Sequence, residues 1–283
     1  MELTDVSSAY ARFIKKRTAE KRKYRVQYIM KYAAMLAVPL MITTVVLSYL
    51  YFGTADNEQQ FAEVKALNGM IVKYELPDHS VVWLNSGSSL RYPTKFKDNE
   101  RAVALNGEAY FEVRASKEKP FYVNTPQGLS VYVYGTHFNI SAYENGEDIE
   151  TLLEEGRLKV RLPHSASELD LNPGEYVSYN KLSQQVIKTK VDIEEKLAWK
   201  DGKLVFRNTR LEDVFKTLER HFNVIISYHN HTEKEYRYRA TFRDETLPQI
   251  LEYLSKSATL KWSIEKLEDN KNSRTKKVVV DLY

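Results

Sequence analysis

MIVKYELPDHSVVWLNSGSSLRYPTKFKDNERAVALNGEAYFEV, residues 70–113, is the stretch whose pattern decides the fold class. Runs rich in Val, Tyr and Phe alternate with turn signals: MIVKYEL stops at Pro77–Asp78, VVWLN at Ser86–Gly87, and AVAL at Asn106–Gly107 before EAYFEV resumes. β-Branched and aromatic residues suit a pleated, half-buried surface, while Pro, Asp, Asn and Gly supply the torsions that reverse a chain, so the pattern reads as strands joined by tight turns. It persists to about residue 180, where the composition shifts: eight of the ten glycines fall at 69–174 and none lies beyond Gly202. Turns roughly ten residues apart fit a mainly β domain, either a sandwich or barrel or a strand-solenoid-like stack, and the spacing does not separate them.

Beyond a connector at 181–202, which ends in DIEEKLAWKDG and carries one helical turn, residues 203–283 repeat themselves. At a constant offset of 36, Phe206 matches Phe242, Asn208 Asp244, Leu211 Leu247, Val214 Ile250, Leu218 Leu254, Val224 Leu260 and Ile226 Trp262. Each copy reads strand, polar turn, amphipathic helix, strand, and KKVVVDLY adds a last strand. Leu211, Val214, Phe215 and Leu218 follow the 3, 4 spacing of one buried helix face, and Thr209 with Glu212 has the form of a capping box. In the second copy Asp244 or Thr246 is the cap, and Pro248 falls in the first turn, where its missing donor costs little. The expectation is an α+β module of duplicated β-α-β units that packs two helices on one sheet.

Toward the N-terminus the chain changes character again. No charge occurs between Lys31 and Asp56, and Tyr32–Phe52 is a run of 21 mostly apolar residues, YAAMLAVPLMITTVVLSYLYF. That length spans a bilayer core of ~30 Å. Residues 1–31 carry nine Lys or Arg against three acids, whereas Asp56, Glu58 and Glu63 follow the run, so the positive-inside rule places the N-terminus in the cytoplasm. A cleaved signal peptide is the competing reading, but the basic leader is long and the apolar run exceeds a signal core. The sequence thus divides into a cytoplasmic basic tail at 1–31, a transmembrane helix at 32–52, a linker at 53–69, a β-rich domain at 70–180, the connector at 181–202 and the repeat domain at 203–283.

The whole chain has a net charge of +4, yet residues 1–31 alone contribute +6, which leaves the folded part at −2. A direct nucleic-acid binder needs a basic folded face, and that balance argues against one. The absence of cysteine excludes a disulfide scaffold, a thiolate metal site and a cysteine nucleophile. His229-x-His231 lacks a third ligand cluster and reads as a solvated loop. The acid pairs Glu144/Glu147 and Glu154/Glu155 read as solvated strand ends, since adjacent strand residues point to opposite faces. Without a nucleophile elbow, zincin or phosphate-loop motif, no cofactor, metal or external substrate is expected.

Several stretches together resemble the FecR-type transmembrane anti-sigma factors of Gram-negative bacteria: LPDHSVVWLNSGSSLRYP (76–93), GEAYFEV (107–113), KPFYVNT (119–125), YGTHFNISAY (134–143) and LLEEGRLKV (152–160). LNPGEYVSYN (171–180) and LAWKDGKLVFRNTRLEDVFKTLERHFNV (197–224) resemble the C-terminal module of members that serve outer-membrane transducers, which is similar to the short N-terminal domains of secretins and TonB-dependent receptors. The resemblance implies a single-pass inner-membrane regulator with a periplasmic C-terminus. Its implied partners are an extracytoplasmic-function sigma factor and the signalling domain of an outer-membrane TonB-dependent receptor. The family's sigma-binding segment is usually longer than the 31 residues here. Within them Tyr10, Phe13 and Ile14 form a narrow apolar stripe that a partner helix could cover. The alternative is a membrane-anchored periplasmic scaffold or glycan-binding protein without sigma control. YGTHFNI also resembles a motif at which some members cut their own chain, here between Gly135 and Thr136; the plain alternative is a strand bulge at Gly135 beside an ordinary β-former.

Overall fold

The structure is a computed structural model that describes residues 6–53, 59–163, 168–232, 234–257, 259–266 and 276–283, with the side chains of the first helix described in part. The chain forms two compact units, Met1–Glu58 and Gln59–Tyr283.

The first unit is one helix, α1 (Val6–Gly53). The expected tail and span are therefore continuous, because Ala, Leu, Met, Lys and Arg favour helix and no glycine interrupts them before the helix ends. Pro39 lies inside and lacks an N–H, while the Thr43 and Thr44 hydroxyls both donate to the Leu40 carbonyl, at 2.9 and 2.6 Å. Met35, Leu36, Leu40, Met41 and Leu47 are all exposed, and this helix is long and apolar enough to cross a membrane. It fits a single-pass anchor, since an apolar surface on all sides wants lipid as its solvent.

In the second unit the β-rich part contains β1 (Phe61–Lys65), β2 (Val72–Glu75), β3 (Val81–Leu84), β4 (Ser89–Pro93), β5 (Arg101–Glu112), β6 (Phe121–Asn124), β7 (Ser130–Val133), β8 (His137–Ala142), β9 (Asp148–Glu155), β10 (Leu158–Arg161), β11 (Glu168–Leu171), β12 (Glu175–Asn180) and β13 (Val186–Lys190). All join one 13-stranded sheet that curls on itself. β5 belongs to both halves: its first part pairs with β4 and β6, its second part with β3 and β8. Asn106–Gly107 lies at the change. The sequence pattern reads a chain reversal there, but the strand runs through and bends. Gly107 has φ +108°, and a Cβ on it would stand 2.3 Å from Ser88 Oγ, so glycine is required for the bend rather than for a hairpin.

Val103, Val123, Val131 and Val160 from one half meet Val82, Phe111, Phe138, Ile140 and Leu153 from the other in a single core, where the Phe111 and Phe138 rings stack at 5.1 Å. β1 and β13 lie in stretches whose sequence reads as linker and connector. Both are short, largely exposed and lysine-bearing, as edge strands are. The LPDHS stretch is a structural keystone. Asp78 accepts from the Ser80 amide and from Arg101 Nη1 at 2.7 Å, and Arg101 also donates to the carbonyls of Arg114 and Lys119. Their side chains are only 12% and 5% exposed.

The connector forms α2 (Ile193–Leu197) and a 3₁₀ turn, Ala198–Asp201. The repeat domain follows as β14 (Leu204–Arg210), α3 (Leu211–Phe222), β15 (Val224–Asn230), β16 (Arg237–Phe242), α4 (Leu247–Ser257), β17 (Leu260–Lys266) and β18 (Lys276–Leu282). The single sheet expected here is two. β14 pairs with β16, whereas β15 and β17 both pair with β18, which lies between them. The first strands of the two copies therefore meet each other, the last strand parts the second pair, and both helices share one core with both sheets.

The Thr209–Glu212 capping box does not form. A bulge with Asn208 at φ +64° carries β14 directly into α3, and the Thr209 hydroxyl instead pairs with the Glu195 carboxylate and the Arg207 amide. A box-like cap forms in the second copy, where Gln249 Oε1 accepts from both the Thr246 amide and hydroxyl at 2.8 Å.

Candidate functional site

Strand alternation sends Ala109 and Phe111 inward and Glu108 and Tyr110 outward, and the outward side chains build the site. Trp83, Tyr110, Asn139, Leu152 and Tyr176 are direct cross-strand neighbours on β3, β5, β8, β9 and β12, so they form one row across the outer face. Leu197 and Trp199 of the connector pack on this row and are buried with Tyr110 and Leu152. Lys200 lies over the Tyr110 ring at 4.8 Å and Lys196 over Tyr176 at 4.9 Å. Lysine stems thus border the apolar patch while their charges face the aromatic rings.

The neighbouring row is polar. Glu108 is buried and accepts from Asn85 Nδ2 at 2.8 Å and Asn139 Nδ2 at 2.9 Å. Arg220, near the end of α3, approaches its carboxylate to 4.0 Å and lies 5.7 Å from the Tyr143 ring centre. Burial opposes the guanidinium charge, but Glu108 and Glu150 more than offset this and raise its pKa. Burial, then the Glu108 charge, push the Tyr143 phenol well up; its hydroxyl donates to the Ser86 carbonyl at 3.0 Å. Two groups in this region are left unpaired. Among the described residues, Asn139 Oδ1 and Trp199 Nε1 are buried without a protein hydrogen-bond partner, and a buried polar group left so is costly.

Gly135–Thr136 lies away from this row, where the chain crosses from β7 in one half of the sheet to β8 in the other. Gly135 has φ +152°, and a Cβ would stand 2.6 Å from Ala115 Cα, so the position is a tight corner rather than a bulge within a strand. Thr136 is buried, and its hydroxyl donates to the Arg157 carbonyl at 2.9 Å. Tyr10, Phe13 and Ile14 all lie on α1. Ile14 is 43% exposed, while the side chains of Tyr10 and Phe13 lie outside the described residues. Among the described residues no cluster of metal-ligating side chains occurs; His231 faces Asp281 at 3.3 Å.

Sequence reasoning did not single out Trp83, Tyr110, Trp199, Glu108 or Arg220. The available signal was aromatic residues at outward as well as inward positions of VVWLN, EAYFEV and EYVSYN, more than a water-facing side needs.

Residues 62–159 match the family model of the FecR protein, and residues 203–270 match that of the FecR C-terminal domain, together over half of the chain. This chain belongs to the FecR family. Two crystal structures of a protein provisionally described as an anti-sigma factor, from Parabacteroides distasonis ATCC 8503, are similar to it, each with a TM-score of 0.65. They are 29% and 28% identical, over 77% and 78% of this chain and 98% and 99% of theirs. No curated protein matches. The FecR match begins inside β1, and the row under Trp199 joins strands of the first FecR domain to the segment that leads into the second.

Proposed function

We propose that this FecR-family protein is a single-pass inner-membrane anti-sigma regulator with a cytoplasmic N-terminus and periplasmic FecR domains. In this reading the output is an extracytoplasmic-function sigma factor bound through Tyr10, Phe13 and Ile14, and the input is the signalling domain of an outer-membrane TonB-dependent receptor that engages the repeat domain. The observation that carries it is the order of parts: nine basic residues, an uncharged apolar run of 21, then acids and two FecR domains. The family match and the solved relatives support an anti-sigma role. Co-purification tests it: residues 1–31 displayed on the full chain should retain a sigma factor, and the triple change Tyr10→Ala, Phe13→Ala, Ile14→Ala should release it. Reporter fusions after Phe52 that are active in the cytoplasm would overturn the topology.

A second reading, an anchored periplasmic scaffold or glycan binder, is favoured by one observation. Tyr122 and Tyr132 lie side by side on the other outer face, with ring centres 5.6 Å apart, a shape that a sugar ring can cover. Sugar-dependent quenching of tyrosine emission, together with no retained sigma factor, would favour it.

The proposal contains no turnover of external substrates. The covalent step it allows is a single cut in which Thr136 Oγ1 attacks the Gly135 carbonyl carbon, the Gly135–Thr136 amide bond breaks with its nitrogen taking a proton, and water then hydrolyses the ester to a Gly135 carboxylate and a free Thr136 hydroxyl. Thr136→Ala should give one full-length band on denaturing electrophoresis and Thr136→Ser two. A single wild-type band persisting for days would mean that Gly135 serves only the corner.

A further inference from the structure

The connector is held in two different ways. Toward the repeat domain it is tied by charge: Arg207 of β14 pairs with Asp192 and Glu194, and Thr209 with Glu195. Toward the sheet it packs through Leu197 and Trp199, with Lys196 and Lys200 over the Tyr176 and Tyr110 rings. Among the described residues no hydrogen bond joins Ile193–Asp201 to the sheet. Among the described residues the hydrogen bonds and ion pairs across the whole seam are the Val191 amide to the Gly174 carbonyl at 3.3 Å, at its root, and Arg220 to Glu108 at 4.0 Å, beside the cation–ring contacts of Lys196, Lys200 and Arg220. The seam also encloses the orphaned Trp199 Nε1 and Asn139 Oδ1, which water would satisfy if the surfaces parted. A contact that is apolar at its centre, lightly bonded and relieved of two orphans by wetting is one that can release without unfolding either side.

We propose that α2, the 3₁₀ turn and the repeat domain move as one body, which unseats Leu197, Trp199 and Arg220 from the outer face of the sheet by pivoting near residues 190–192. Seated, the strap covers Tyr110 and gives buried Glu108 its cation. Unseated, it exposes the aromatic row of the first FecR domain. As the step by which a pull on the repeat domain reaches the membrane-proximal domain, it rests on the regulator reading above; the opening itself does not.

The test uses the full chain in detergent micelles. Because the protein has no cysteine, Lys95→Cys and Lys261→Cys give unique spin-label sites on the two sides. The parent should show one narrow distance. Arg220→Met should add a second, longer population and raise hydroxyl-radical labelling of Tyr110, 2% exposed when seated, about tenfold, while Phe215 in the repeat-domain core stays protected. Trp199→Ala, which removes the apolar centre instead of the charge, should produce the same second population. Adding Glu108→Gln to Arg220→Met removes the stranded carboxylate charge and should return most molecules to the narrow distance. An unchanged distance distribution in both variants overturns the proposal, as does labelling of Phe215 in step with Tyr110, which would make the two parts one cooperative block. None of these readouts needs a sigma factor, so failure of the strap and failure of the regulator reading are separable.

Discussion

The curled sheet has two outer faces, and they treat polar groups in opposite ways. On the half built from β5, β6, β7, β10 and β11, the outward row is Ala102, Tyr122, Tyr132, Lys159 and Asp170. There Tyr132 donates to Glu168 at 2.6 Å, Arg161 meets the same carboxylate at 2.9 Å, and Lys159 bridges toward Asp170; every partner is partly exposed and belongs to the same face. On the other half, Trp83, Tyr110, Asn139, Leu152 and Tyr176 lie under the connector, and the carboxylate beside them, Glu108, relies on two amides and an arginine from another module. One alternating pattern thus yields a face that satisfies itself with the help of water and a face that needs a second body. A face that satisfies itself tolerates loss of any one partner, while a face completed by a movable body transmits that body's position.

Four substitutions separate these behaviours, in falling order of effect. Phe138→Ala removes a fully buried ring that both halves share and should cost ~3–5 kcal/mol in denaturant unfolding. It should loosen both faces together, and if only one face loosens, the core is not common to them. The strap variants Arg220→Met and Trp199→Ala should come next and open only the covered face. Arg220 is 42% exposed, so its loss weighs less than that of a fully buried ion.

Glu168→Gln should have the smallest effect at neutral pH, and its signature is pH dependence. Hydrogen bonds from Tyr132 and Arg161 lower the Glu168 pKa to about 2 from 4.5. A carboxylate whose folded-state pKa is depressed stabilises the fold above its unfolded pKa and loses that contribution as pH falls. The wild type should therefore lose stability between pH 4.5 and 2, and the variant should lose less across that window. Equal acid sensitivity in the two proteins would show that the exposed network does not stabilise the fold.

Much of this architecture is legible in residue order because it is local. The turns at Pro77–Asp78 and Ser86–Gly87 fall where their torsions demand, and Leu211, Val214, Phe215 and Leu218 form the buried stripe of α3 that their spacing predicts. The 36-residue repeat appears as two copies whose first strands meet, with Phe206 against Phe242 at 6.2 Å. The misreadings are positions where a local signal met a distant constraint. Asn106–Gly107 has a turn's composition, yet β3, β4, β6 and β8 all pair with the strand around it and hold it extended. Thr209 and Glu212 have a cap's spacing, yet Glu195 of the connector claims the hydroxyl.

Residue order alone carries the apolar span and its charge bias, the strand alternation, the amphipathic helices and the repeat, because each depends on residues within a few turns or on a fixed period. Tertiary contacts alone set that thirteen strands form one curled sheet, that β14 pairs with β16 while β18 lies between β15 and β17 in a second sheet of the repeat domain, and that Trp199 and Arg220 cover the outer row. Such pairings join residues tens to more than a hundred positions apart, and which of several apolar or aromatic faces meet is set by shape and by the burial of Glu108 and Tyr110, which no local pattern encodes.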